Sequence, residues 1–452
     1  MPFRIGLSGL SAAQADLKVT GNNIANVGTV GFKQSRAEFA DVYATSKFGS
    51  ASTAIGSGVR LADTAQQFTQ GNIIFTENNL DMGITGDGFF TMDDVSGNRV
   101  YTRNGQFKVD KEGFIVDNSG SNLKGYGVDP TTKNINTGDI TNLQITSTSI
   151  APQATTTSAV FANIDSGEPV IAGGFVMDAV TGVVDPTSYN HTTSFTSYDS
   201  LGNPMLTSMF YQKTAPNVWA VGIKLTDSQG NIFHNLSATT SAGNPAATPP
   251  EPQILTVGGG APTPIAFTTS GVLDPTAVGA TLPGPPVGSF SLTFDLTSPT
   301  APAGSASQDI VFDVNGLTQY GAPFGVTNLT QNGYTTGQLS GLDVDQSGII
   351  SARFTNGESN NLGQVFLTNF NNNQGLTQLG DNYWGESFSS GAGIVNVPGN
   401  GNAGLINSGA LEDSNVNLTE QLINLITAQR NFQANAKTIT TADTITQTLI
   451  QI

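Results

Sequence analysis

The chain has 452 residues, only 11 % of them charged, a formal net charge of −17 and no cysteine. That balance excludes a basic footprint for nucleic-acid phosphates and an anionic membrane surface as partner. The missing cysteine excludes a disulfide framework, a thiolate nucleophile and a cysteine-ligated metal.

The length points to several domains, and 53 glycines among many Asn, Thr and Ser point to β-structure with tight turns. In residues 1–30, Phe3, Leu7, Leu10, Gln14, Leu17, Gly21 and Ile24 recur in alternating steps of four and three. This spacing draws one stripe along a helix, with Gly28 as its stop. No apolar run of signal-peptide length follows the N-terminus, so no cleaved signal peptide is expected. Gly9 and Gly21 each cost the helix about 1 kcal/mol relative to alanine, so it needs a partner. The spacing allows either a coiled-coil pair with the C-terminal helix or packing on its own domain.

Residues 31–71 read as an extended connector with one short helix near Ser35–Tyr43. Residues 72–147 read as the first half of an inner β-domain, since Leu80, Met82 and Ile84 alternate and Asn104-Gly105 signals a hairpin. Residues 148–327 read as an inserted outer β-domain, with a turn at Asp199–Pro204 and a long loop over Thr239–Pro264. Residues 328–410 return as the second half of the inner β-domain. Residues 411–452 form the C-terminal core helix, with the stripe Leu418, Leu422, Leu425, Gln429, Phe432, Ala436, Ile439 and, further on, Ile450. Glu412 and Asp413 precede it, where the helix dipole favours negative charge. The fold class is α+β and multidomain: a terminal α-helical coiled-coil core with two nested, mainly antiparallel β-domains.

The residues offer little chemistry. His191 and His234 are too few for a zinc site. Asp343-Val-Asp345-Gln-Ser347-Gly348 opens like a calcium loop, but Phe354 stands where the bidentate glutamate belongs, so it reads as a hairpin turn. Gly86-Asp87-Gly88 lacks the third glycine and the helix of a dinucleotide fingerprint, and Asp93-Asp94 reads as a solvated turn. No catalytic, cofactor or metal residues are expected, and the chain is not read as an enzyme.

Ser8-Gly-Leu-Ser-Ala-Ala13, Val19-Thr-Gly-Asn22-Asn23-Ile24-Ala-Asn26 and Gly31-Phe32-Lys33 resemble the N-terminal signature of the bacterial flagellar rod, hook and hook-associated axial proteins. Ser414–Glu420, Ala428-Gln429-Arg430-Asn431-Phe432 and Gln433–Lys437 resemble the C-terminal signature. Leu80–Phe90 and Tyr101–Phe107 resemble the shared β-domain, and Asp199–Asn203 and Thr330–Tyr334 its hook branch. Val27-Gly28-Thr29 and Phe432 depart mildly from the pattern.

The resemblance implies a structural subunit that polymerises into the flexible curved hook, a universal joint passing torque from rod to filament. It implies export through the flagellar type III apparatus without signal cleavage, and an extracellular hook location. Implied partners are other copies of the chain and the rod, hook-cap and hook–filament junction proteins, with no nucleic acid, membrane insertion or cofactor. Leu7, Leu10, Leu17, Ile24, Leu418, Leu422, Leu425, Phe432, Ile439 and Ile450 are the expected assembly interface. A distal-rod protein, or a secreted β-rich adhesin or glycan-binding protein, are the alternatives.

Overall fold

The computed structural model describes residues 2–42, 56–129, 132, 134–146, 148–178, 181–236, 254–256, 262–274, 288–294, 296 and 305–450. The chain divides into two compact units. The first holds Met1–Ser147, Ser340–Arg353 and Ser359–Ile452, and the second holds Thr148–Leu339 and Phe354–Glu358.

In the first unit, helix α1 (Pro2–Ala25) and helix α2 (Leu418–Ile450) lie against each other. They run antiparallel, because Gly6 and Gly9 sit against Asn435 and Ile439 while Asn23 meets Gln421. A β-carbon on Gly6 would stand 2.9 Å from Ile439 Cγ1, and one on Gly9 would stand 2.4 Å from Asn435 Oδ1. Small side chains at the crossing let the two backbones approach.

The buried side of α1 runs through Gly6, Ala13, Thr20 and Asn23, and that of α2 through Gln421 and Ala428. Half-buried Leu425, Phe432, Asn435, Ile439 and Ala442 continue the α2 line. The spacing in fours and threes is the expected one, but the stripe is rotated: of the α2 positions expected, Leu425, Phe432, Ala436 and Ile439 are half-buried, while Leu418, Leu422 and Gln429 are exposed. The reason is physical. Close packing selects small residues, and the large aliphatics fall to the flank.

The chain leaves α1 through a turn in which Asn26 N–H bonds Asn22 O at 3.1 Å. The left-handed glycine comes later than expected, at Gly31 (φ +70°) rather than Gly28. α2 is capped by Asn417, whose Oδ1 accepts from Thr419 N at 3.1 Å and Glu420 N at 3.3 Å. Glu420, in the first turn, is the acid at its positive end.

Ser35–Asp41 is a strand, not the expected helix; Tyr43 lies outside the described residues. It pairs antiparallel with Val59–Gln66, from Ser35↔Gln66 to Asp41↔Val59. Ladder bonds to a distant partner outweigh the modest helix propensity of Arg-Ala-Glu-Phe-Ala.

Beyond this hairpin the outgoing and returning chains run side by side: Ile73–Phe75 pairs with Ala410–Glu412, and Met82–Thr85 with Leu405–Ser408. They lead into an antiparallel sheet in which Phe89–Asp93 pairs with Arg99–Thr102, Asn122–Val128 and Leu367–Asn369. Its core gathers Met82, Ile84, Phe90, Met92, Leu123, Ile350, Val365, Leu367 and Ile406.

The second unit is a sandwich of two sheets over one aromatic core. One sheet is built on His191–Tyr198, Pro204–Ala215 and Val218–Thr226. The other runs Ser289–Phe294, Gln308–Thr318, Thr157–Asn163 and Gly325–Gln331. Thr157–Asn163 and Gln308–Thr318 are parallel, an exception to the expected antiparallel pattern.

The expected boundary at 327 falls inside the strand Gly325–Gln331, which pairs with Thr157–Asn163 of the same unit. This strand is mostly exposed and lacks apolar alternation, so it resembles a loop in sequence. Inside the expected long loop lies the strand Ile254–Thr256, and at its end begins the strand Thr263–Phe267, both hidden by surrounding Pro, Gly and Ala.

One turn recurs in both units. At Asp94, Asp110, Asp117, Asp199, Asp227 and Asp345 a carboxylate oxygen accepts the N–H four residues on, closing a hairpin. The glycine three residues after each of these aspartates has φ between +79° and +89°, the region where a β-carbon is strained.

Candidate assembly surface

The signature residues converge on a buried junction at the foot of the helix pair. Lys33 Nζ stands 2.6 Å from Glu412 Oε1, and Arg103 Nη1 stands 3.0 Å from Glu412 Oε2. The Lys33 and Glu412 side chains are 0 % exposed and that of Arg103 4 %, so water screens none of the three. Lys33 also donates to Thr69 O, and Gly71 N–H donates to Glu412 Oε1 at 2.9 Å.

Two cations share one carboxylate. Burial, and then the Arg103 charge, hold the Lys33 ammonium below its ordinary range, with Glu412 pulling the other way. Gly31 is confined here: its N–H donates to Glu412 O at 2.8 Å, and a β-carbon would stand 2.6 Å from Asn104 N. Thus one carboxylate joins the connector, the β-sheet and the strand leading to α2.

A second clasp lies just above. Buried Asn23 donates to Ser35 O at 2.8 Å and Gln421 Oε1 at 3.1 Å, and its Oδ1 accepts from Ser35 N at 2.9 Å. The amide therefore ties α1, the connector and α2 together. Asn22 and Asn26 bond each other at the end of α1, and Phe32 is half-buried. Gln429 and Arg430 are exposed.

Expected interface residues are spread round the helices. Leu7, Leu418 and Leu422 are exposed at 48 %, 44 % and 44 %. Leu10, Leu17, Ile24, Leu425, Phe432 and Ile439 are half-buried, and the side chain of Ile450 lies outside the described set. Exposed Ile423, Ile426 and Ile445 extend the apolar surface of α2 beyond the expected stripe.

Glu412 is expected as a dipole partner of α2, and Arg103 and Gln421 carry no expected individual role. Glu412 is a strand residue pinned in the junction, not a dipole partner of α2. A lysine destined for burial gives no local hint of an acid 379 residues away.

Both histidines occupy strands. His191 stacks on Phe324 with ring centroids 4.4 Å apart, and His234 Nδ1 accepts from Leu236 N. Asp345 closes its hairpin while Asp343 pairs with Arg353 at 2.8 Å. Among the described residues, no group of three or more His, Asp or Glu is placed to hold a metal ion, and no helix is long and apolar enough to cross a membrane.

Models of flagellar axial families match along the chain. The flagella basal body rod protein model matches residues 3–33, the flagellar hook protein FlgE/F/G D1 domain residues 83–156, the flagellar basal body protein FlaE D2 domain residues 163–334, and the flagellar basal body rod FlgEFG C-terminal model residues 407–452. The flagellar hook protein FlgE of Salmonella typhimurium is 35 % identical over 453 residues, covering 100 % of both chains. The chain belongs to the flagellar hook protein family.

Other members of the hook family agree: FlgE of Escherichia coli is 35 % identical across the full length of both chains, and FlgE of Borreliella burgdorferi 30 % over 99 % of this chain and 98 % of its own. The crystal structure of Helicobacter pylori hook protein FlgE2 superposes with a TM-score of 0.50 at 12 % identity, covering 75 % of this chain and all of that one. That likeness concerns the fold alone. The chain is a hook-family structural subunit, with helices at both ends and a mostly β multidomain body.

Proposed function

We propose that the subunit polymerises through its terminal helices, which form a coiled-coil inner core of a flexible curved tube, while the β-units carry the rest of the wall. In this reading 1–30 pairs with 411–452, and 31–71 is a connector pinned at Lys33. The polymer is the extracellular hook, a universal joint between rod and filament, exported through the flagellar type III apparatus without a cleaved signal. Its neighbours at the ends are rod, hook-cap and hook–filament junction proteins.

One observation carries the reading: Leu418, Leu422, Ile423, Ile426 and Ile445 on α2, and Phe3, Ile5 and Leu7 on α1, all stand in water in a single chain. An apolar surface of that kind marks an interaction face. Concentrated purified protein should form curved tubes in negative-stain micrographs. A protein that stays monomeric at every concentration would contradict the reading.

A further inference from the structure

Phe388 is fully exposed, yet its loop is tightly held. Ser387 Oγ donates to Gly375 O at 2.5 Å and accepts the N–H groups of Ser389 and Ser390 at 3.1 and 3.2 Å. Ser387 N–H donates to Ser390 Oγ at 2.9 Å, and Asn372 Nδ2 donates to Ser389 O at 3.0 Å.

The chain just before the loop is bolted to the foot of the helix pair. Asn382 Nδ2 donates to Val30 O at 2.9 Å, and Trp384 Nε1 donates to Gln66 Oε1 at 2.6 Å. The hydrogen-bonded loop thus presents a large aromatic side chain to solvent. Such an aromatic forgoes burial within its own chain, and rigid aromatic anchors are what dominate protein interfaces.

We propose that Phe388 is an anchor between copies of this chain, entering an apolar hollow on a neighbouring copy. The occupant follows from two facts. The chain belongs to a family of hook subunits, whose surfaces are covered by further copies. Asn382, six residues before Phe388, is bonded to Val30, five residues past the end of α1, which ties the strand leading into the loop to the foot of the helix pair where Leu418 and Leu422 are exposed. The contact is heterologous. A knob meeting its own counterpart across a two-fold axis closes a dimer, whereas a growing tube needs knob and hollow at different places on the surface. This inference rests on the hook-subunit reading above.

The test uses the full-length protein. Phe388→Ala should melt at the parent's temperature but need about tenfold more protein to form tubes, the ratio set by ~1.4 kcal/mol per contact. With p-benzoylphenylalanine in place of Phe388, illuminated tubes should give copy-to-copy crosslinks at positions other than 388. Assembly of Phe388→Ala at the parent's concentration, crosslinks confined to one chain or to position 388, or capture of a different protein would each overturn the anchor while leaving the hook reading intact. If the parent itself forms no tubes, the hook reading fails and takes the anchor with it.

Discussion

The helix pair and the sandwich of the second unit spend their apolar residues in opposite ways. The sandwich buries Trp219, Tyr211, Phe290, Phe294 and Phe312 completely. The helix pair buries Gly6, Ala13, Thr20, Asn23 and Gln421, and leaves Leu7, Leu418, Leu422 and Ile423 in water. One region has a core sufficient to fold alone. The other closes on small and amide side chains and keeps its greasy surface for something outside the chain. The ion cluster at the foot of the helices, Lys33, Arg103 and Glu412, lies within the first unit and holds the helix pair to that unit's own β-sheet.

The chain holds two tryptophans, one per unit: Trp219 in the second and Trp384 in the first, both nearly fully buried. Single-tryptophan variants therefore report each unit separately in denaturant. Glu412→Gln leaves Lys33 and Arg103 buried without a counter-charge, and should cost about 3–5 kcal/mol in the Trp384 transition with the Trp219 transition unmoved. Phe312→Ala should do the reverse at similar cost, about 3–5 kcal/mol. Movement of both transitions in either variant would break the distinction between the units.

Leu422→Ala sharpens the same contrast. An exposed leucine on a helix should change monomer stability by no more than about 0.5 kcal/mol, while pelleting assays should show much less polymer. A monomer destabilised as strongly as by a core substitution would mean that Leu422 belongs to an internal core after all.

The smallest effect is acid sensitivity in the second unit. Burial pushes the Asp199 carboxyl up, but donations from Ser305, Asn203 and Leu201 together outweigh it and hold its pKa below the ordinary carboxylate range. A depressed folded pKa gives stability that is whole above the unfolded value near ~4 and is lost as pH falls through the folded one. The Trp219 midpoint should therefore hold from neutral pH to about 5 and decline below about 4. Asp199→Asn should lower it at neutral pH and flatten the acid limb. An unchanged limb would remove Asp199 from the account.

The alternation of fours and threes made both helices legible, because any long helix must repeat near that period. Which side faces inward was not legible. Leu7 and Leu422 look like core residues by hydrophobicity, yet the crossing selects Gly6, Gly9 and Ala428 by size. The Ser35–Asp41 strand was hidden because its partner begins at Val59, and strand pairing is a property of two segments. The aspartate turns were visible one by one, at Asp199 and Asp345, and became a repeated device once their shared hydrogen bond was seen. The Lys33–Glu412 contact was beyond reading, since nothing near either residue points to the other.

That contact also sets an order of events. A chain that emerges N-terminus first releases Lys33 379 residues ahead of Glu412. Until the last strand arrives, Lys33 and Arg103 have no carboxylate to bury against and must remain hydrated. The junction therefore closes only after the chain up to Glu412 has arrived, and only the pairing of α2 with α1 comes later: a copy truncated before Glu412 leaves Lys33 and Arg103 without their shared carboxylate and lacks α2 altogether.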